Sequence, residues 1–121
     1  MKMTRDEESL LLFLETRAVD HDGKVSTEHM NASDMEVAKR WNVDHFICFG
    51  RLPSELVTAK TNRGRNTHWV ILSPGAFGHA SQLRAERADR GTARLRTELE
   101  PYKLLSVVAS VFDGVFVPFE E

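Results

Sequence analysis

The sequence predicts an α+β domain, in which helices accompany one small antiparallel β hairpin, followed by a C-terminal helical or hairpin extension. Three observations carry this. Two stretches have the capping-box form that opens a helix, Thr4-Arg5-Asp6-Glu7 and Ser33-Asp34-Met35-Glu36. Two β-rich runs, "HFICFGRL" and "THWVILS", are separated by about fourteen residues and pair as the arms of a hairpin with a long loop. Ser73-Pro74 then supplies a hydroxyl N-cap followed by a proline at the first helical position.

The first helix is expected over residues 5–19. Leu10, Leu11, Phe13, Leu14 and Ala18 recur at helical spacing and form its inward face. "DHDGKVS" ends it at Gly23 and leaves a short extended segment at 24–26. Asp20, Asp22 and Gly23 imitate the middle of a calcium loop. With Gly23 at the sharp turn, however, the first and last ligand positions fall on Ala18 and His29, so the segment reads as an ordinary Asp/Gly turn. A second helix is expected from the Ser33 cap to about Asn42. Met35, Val37, Ala38 and Trp41 face inward there, and Asp34, Glu36, Lys39, Arg40 and Asn42 face outward.

In the connection "PSELVTAKTNRGRN", residues 54–58 either extend the strand or make one helical turn. The helix after Pro74 buries Ala76, Phe77, Ala80 and Leu83 and presents Arg84, Arg87 and Arg90 to solvent. Gly91 is its expected stop, and Thr92 restarts a helix carrying Arg94 and Arg96 up to Pro101. In the tail, Asp113-Gly114 is a two-residue hairpin signal, while Leu104, Val107, Val108 and Val111 also fit a helix. Residues 1–91 are therefore taken as one domain and 92–121 as an extension. Its apolar tail must pack on that domain or on a second subunit, which makes a homodimer the expected assembly.

A chain of 121 residues with 41% hydrophobic side chains can bury a core without disulfides or metals. Its single cysteine, Cys48, excludes an internal disulfide framework and a multi-cysteine zinc site. The apolar run near the amino terminus is too short for a signal peptide or membrane span, so a cytoplasmic protein without membrane contact is expected. Net charge is −2, unevenly spread. Residues 1–59 carry seven Lys/Arg against eleven Asp/Glu, residues 60–96 eight against two, and residues 97–121 one against five. A basic middle between acidic ends directs a binding surface. Its sharpest concentration is "AKTNRGRNTHWVILSPG", where Lys60, Arg63 and Arg65 crowd around Gly64 with Asn62 and Asn66 beside them.

Enzymatic constellations are missing from the sequence. No two of the five histidines lie three or four residues apart, so there is no helical metal pair. Cys48, between Ile47 and Phe49 in a strand, is expected to be a buried apolar residue, and Trp41 and Trp69 are expected in the core. There is no phosphate-cradling glycine motif. No catalytic residue, metal or cofactor is assigned.

The order helix, brief extended link, helix, hairpin with a basic tip, and capped helix resembles a winged helix-turn-helix domain. "EVAKRWNVDHFICFGRL", "TNRGRNTHWVILS" and "PGAFGHASQLRAERA" carry the likeness over residues 4 to about 90, and small bacteriophage and prophage winged-helix proteins are similar. The resemblance implies double-stranded DNA as partner and a small transcriptional regulator as function. Lys39, Arg40 and Asn42 of the second helix would lie in the major groove. Lys60, Asn62, Arg63, Arg65 and Asn66 of the wing would reach an adjacent groove or the phosphates, with His68 adding a phosphate contact and Arg84 and Arg87 a further basic face. Two departures, the acids Asp34 and Glu36 at the start of the second helix and a middle helix reduced to "STEHM", support an alternative. In that alternative the scaffold is a phage-type protein-interaction module that binds and inhibits a host protein.

Overall fold

The structure, a computed structural model, describes residues 2–102. Among them are helices α1 (Arg5–Asp20), α2 (Ala32–Val43), α3 (Ser54–Val57) and α4 (Pro74–Leu99), strands β1 (Lys24–Val25), β2 (Ile47–Arg51) and β3 (His68–Leu72), and 3-10 turns at Thr27–His29 and Glu100–Tyr102. The chain divides into two compact units, one up to Arg84 and one from Ala85 onward. The tail, with its alternative hairpin or helix and the dimer expected from it, lies outside the described residues.

α1 begins as the sequence predicts. Thr4 Oγ1 accepts from the Glu7 N–H at 3.2 Å, and Glu7 Oε1 accepts from the Thr4 N–H at 3.1 Å. These bonds satisfy two amide groups that a bare helix start leaves without partners. The Thr4 backbone N–H is the main reason the Glu7 carboxyl is held below its ordinary pKa, and Arg40 adds to this. Leu10, Leu11, Leu12 and Leu14 are buried along the helix. The chain then turns at Asp22 and Gly23, both with positive φ. Gly23 is obligatory there, since a Cβ would stand 2.7 Å from the Val70 carbonyl oxygen.

The capping box of α2 sits two residues earlier than predicted. Asn31, not Ser33, is the N-cap: its Oδ1 accepts from the Asp34 N–H at 2.8 Å, and Asp34 Oδ2 accepts from the Asn31 N–H at 3.2 Å. Asparagine caps as well as serine does, and an Asp at the third helical position here closes the box that Glu was expected to close. Asp34 is thereby occupied with backbone. Ala38 and Trp41 are buried, Trp41 edge-on to Phe46 at 5.4 Å, while Met35 and Val37 pack against the core from partly buried positions.

The sheet has the order β1-β3-β2, antiparallel throughout. Strand alternation puts Ile47, Phe49, Val70, Leu72 and Val25 on the face that meets the helices, and all five are buried. The opposite face carries Cys48 across from Ile71 and Gly50 across from Trp69. Cys48 is therefore exposed rather than buried, because it has the opposite parity to its apolar neighbours. Trp69 is only half-buried and lies over Gly50, where a Cβ would meet its ring at 2.9 Å.

Residues 54–57 form the helical turn rather than a strand extension. α4 opens where predicted, with the Ser73 hydroxyl accepting from the Ala76 N–H at 3.1 Å. Ala76, Ala80 and Leu83 are buried in the first unit, whereas Phe77 is exposed, a correction to its expected burial. Arg84 is no free surface cation either. It pairs with Glu15 and donates to the Leu12 carbonyl at 3.2 Å and the Thr16 hydroxyl at 2.7 Å, fastening α4 to α1. In the second unit the helix runs through Gly91 to Leu99 without the predicted stop. A glycine inside a helix costs only about 1 kcal/mol, which the turns on either side can absorb.

Candidate functional site

The connection between β2 and β3 is built around a buried asparagine. Asn62 is 3% exposed; its Nδ2 donates to the carbonyls of Val57 and Asn66 at 2.9 and 2.8 Å, and its Oδ1 accepts from the Asn66 N–H at 3.0 Å. Asn66 Oδ1 in turn accepts from Arg17 Nη2 at 2.9 Å, and Arg17 Nε donates to the Lys24 carbonyl at 2.7 Å. The tip itself is a tight turn, closed by the Arg65 N–H on the Asn62 carbonyl at 3.0 Å. Its central residues, Arg63 and Gly64, have φ of 51° and 71°, the pattern of a type I′ turn. The cationic side chains of the segment are left outside: Lys60, Arg63 and Arg65 are exposed and make no ion pair with a described residue.

At the base of the hairpin a second group of basic side chains gathers. Arg51 and His68 are cross-strand partners on the same face as the core, but beyond its end. Together with Lys39 of α2 they surround a cleft of about 370 Å³ whose remaining walls are Met35, Phe49 and Gly50. His68 stacks on Phe49 at 5.3 Å and 13°, and its Nδ1 shares a hydrogen bond of 2.8 Å with the Thr67 hydroxyl. Burial depresses the His68 pKa first, and the nearby Arg51 and Lys39 charges depress it further. None of the described carboxylates lines the cleft. The site thus holds positive charge in excess of what its own neighbours neutralise, with an apolar floor.

The expected DNA-contacting residues separate into two groups. Lys39, Lys60, Arg63 and Arg65 have free, outward side chains. Asn62 and Asn66 build the tip instead of projecting from it. Arg40 reaches back to Glu7, Nη2 to Oε2 at 2.7 Å, and Asn42 Oδ1 accepts from the Phe49 N–H at 2.9 Å, closing part of the free edge of β2. Arg84 is fastened to α1 as described, and Arg87 is partly buried and engaged. Arg51 was not singled out from the sequence; its place beside His68 depends on a strand register across a long connection. Among the described residues no three His, Cys, Asp or Glu side chains come together as a metal site, and no helix is long and apolar enough to cross a membrane.

The helix before the hairpin and the β1-β3-β2 sheet are compatible with a winged-helix-like layout. No family model, no curated protein and no solved structure matches the chain.

Proposed function

We propose that the protein is a winged-helix DNA-binding protein that holds duplex phosphates through two cationic clusters, one at the base of the hairpin and one at its tip. Lys39 of α2 and Arg51, beside His68, form the cluster at the base, and Lys60, Arg63 and Arg65 the one at the tip. The observation that carries this is the Lys39 and Arg51 pair at the base, around a cleft lined by none of the described carboxylates. Two cations that repel one another around one cleft, beside a histidine that burial and their charges keep neutral, gain from an anion between them, and a phosphodiester supplies one. The tip favours the same reading, because a rigid turn presents two arginines without the entropic cost of ordering a floppy loop. The acidic start of α2 weighs less against it than the sequence implied, since the Asp34 carboxylate is turned back to accept from the Asn31 backbone N–H.

The test is binding to labelled duplex across a salt series, with wild type beside Arg63→Ala/Arg65→Ala and Lys39→Ala/Arg51→Ala. Each double variant should flatten the dependence of log affinity on log salt by about two units, one for each phosphate that is no longer neutralised. Unchanged slopes, or no binding by wild type at low salt, would refute the proposal. In that case the protein-interaction alternative stands on a different surface, the outer sheet face, where Ile71 is 62% exposed beside Cys48 and Trp69.

A further inference from the structure

A second cleft, of about 480 Å³, opens between the end of α1, the 3-10 turn and the hairpin connection. Arg17 stands on its wall. Its guanidinium is held by two neutral acceptors, the Lys24 carbonyl and Asn66 Oδ1, and none of the described carboxylates pairs with it. Partial burial lowers its pKa, yet an arginine stays charged under any ordinary condition. The result is a positioned, partly desolvated cation without a counter-ion among the described residues. Arg65 lines the same cleft from the hairpin connection, and His21, His29 and the Thr61 hydroxyl line it as well. Among the described residues, Glu28 is the one carboxylate of the lining.

We propose that this cleft binds a small phosphorylated molecule, with its phosphate monoester held between Arg17 and Arg65. Two guanidiniums call for more negative charge than one carboxylate carries, and a monoester has about −1.5 to −2 at neutral pH. The planar fork of Arg65 matches phosphate oxygens, while Arg17, whose Nε and Nη2 are taken by the Lys24 carbonyl and Asn66, has Nη1 left to donate. The space exceeds a bare oxyanion and falls within the roughly 300–1,000 Å³ of small-molecule sites, so a further group attached to the phosphate has room. The negative end of α1 lies close by, but the Arg17 carbonyl is already capped by the N–H groups of His21 and Gly23 at 3.2 and 2.9 Å. Of the duplex-contacting residues proposed above, only Arg65 takes part, so the two sites stand or fall separately.

The experiment is calorimetric titration of the full chain, without DNA, using adenosine 5′-monophosphate, inorganic phosphate and adenosine at matched ionic strength. The monophosphate is expected to bind with a Kd below about 1 mM, and adenosine not at all. Arg17 also supports the hairpin connection, so the informative variants are Arg65→Ala and Glu28→Gln, both at exposed positions. Arg65→Ala should weaken binding about tenfold or more, the loss of a charge-assisted hydrogen bond. Glu28→Gln should tighten it by about threefold by removing a like charge from the lining. Equal affinities for inorganic phosphate and the monophosphate would make free phosphate the occupant; tighter monophosphate binding would show that the attached group is also held. Binding of adenosine as tight as that of its monophosphate, no binding of either phosphate, or indifference to both substitutions would overturn the proposal.

Discussion

Replacing Asn62 tests whether the cationic tip is a built structure or a passive loop. Asn62→Ala removes three hydrogen bonds, two donated by Nδ2 to the carbonyls of Val57 and Asn66 and one accepted by Oδ1 from the Asn66 N–H. The Val57 carbonyl keeps the Gly64 N–H at 2.9 Å, so it is not orphaned. Both backbone groups of Asn66 lose the Asn62 side chain. At about 0.5–1.5 kcal/mol net per bond, the loss should come to about 2 kcal/mol. Asn62→Asp should be worse: its carboxylate can still accept from Asn66, but it sets negative charge against two carbonyl oxygens. Urea unfolding gives the global figure, and amide exchange at Asn66, Arg65 and Gly64 shows whether the opening is local. A loss below about 0.5 kcal/mol, with exchange at those amides unchanged, would refute the assignment of Asn62 as the organiser of the tip.

Three further outcomes follow from the geometry. Gly23→Ala combines a left-handed backbone with a Cβ 2.7 Å from the Val70 oxygen, and should cost about 2 kcal/mol or more in urea unfolding. Asn31→Ala should lower the unfolding midpoint by the equivalent of about 1 kcal/mol while Ser33→Ala leaves it nearly unchanged; the reverse order would put the cap back at Ser33. His68 has a folded pKa below its ordinary 6.5, so its contribution costs nothing above that value. As pH falls through 6.5 the unfolded chain takes up the proton first, and stability declines until the folded pKa is passed. Unfolding measured between pH 8 and pH 5 should show this decline lessened in Lys39→Met/Arg51→Met, and an identical pH profile for the two proteins would refute the charge contribution.

Much of the candidate site was visible in the sequence as composition but not as geometry. Lys60, Arg63 and Arg65 stood out because a basic cluster around a glycine is a local feature, and their exposure follows from the turn that Gly64 permits. Asn62 and Asn66 looked like their equals. Neighbours in sequence do not say which polar side chain will be needed to satisfy a loop's own backbone, and Asn62 is withdrawn to do so. Cys48 and Trp69 were misplaced for a different reason. Apolar character suggested the core, while strand parity, fixed by the pairing of Cys48 with Ile71 and of Gly50 with Trp69, sends both to the opposite face.

By itself the sequence determined whatever depends on interactions within a few residues. The capping box at Thr4 and Glu7, the Ser73 cap of α4, the turn at Gly23 and the two strand segments were all legible, because each rests on hydrogen bonds or steric limits between near neighbours. The tertiary structure alone decided that Lys39, Arg51 and His68 share one cleft and that Arg17 meets Asn66 across 49 positions of chain. Those meetings are set by strand register and by which helix face the core draws inward. Both are fixed by burial summed over the whole domain, and no short window of residues contains that sum.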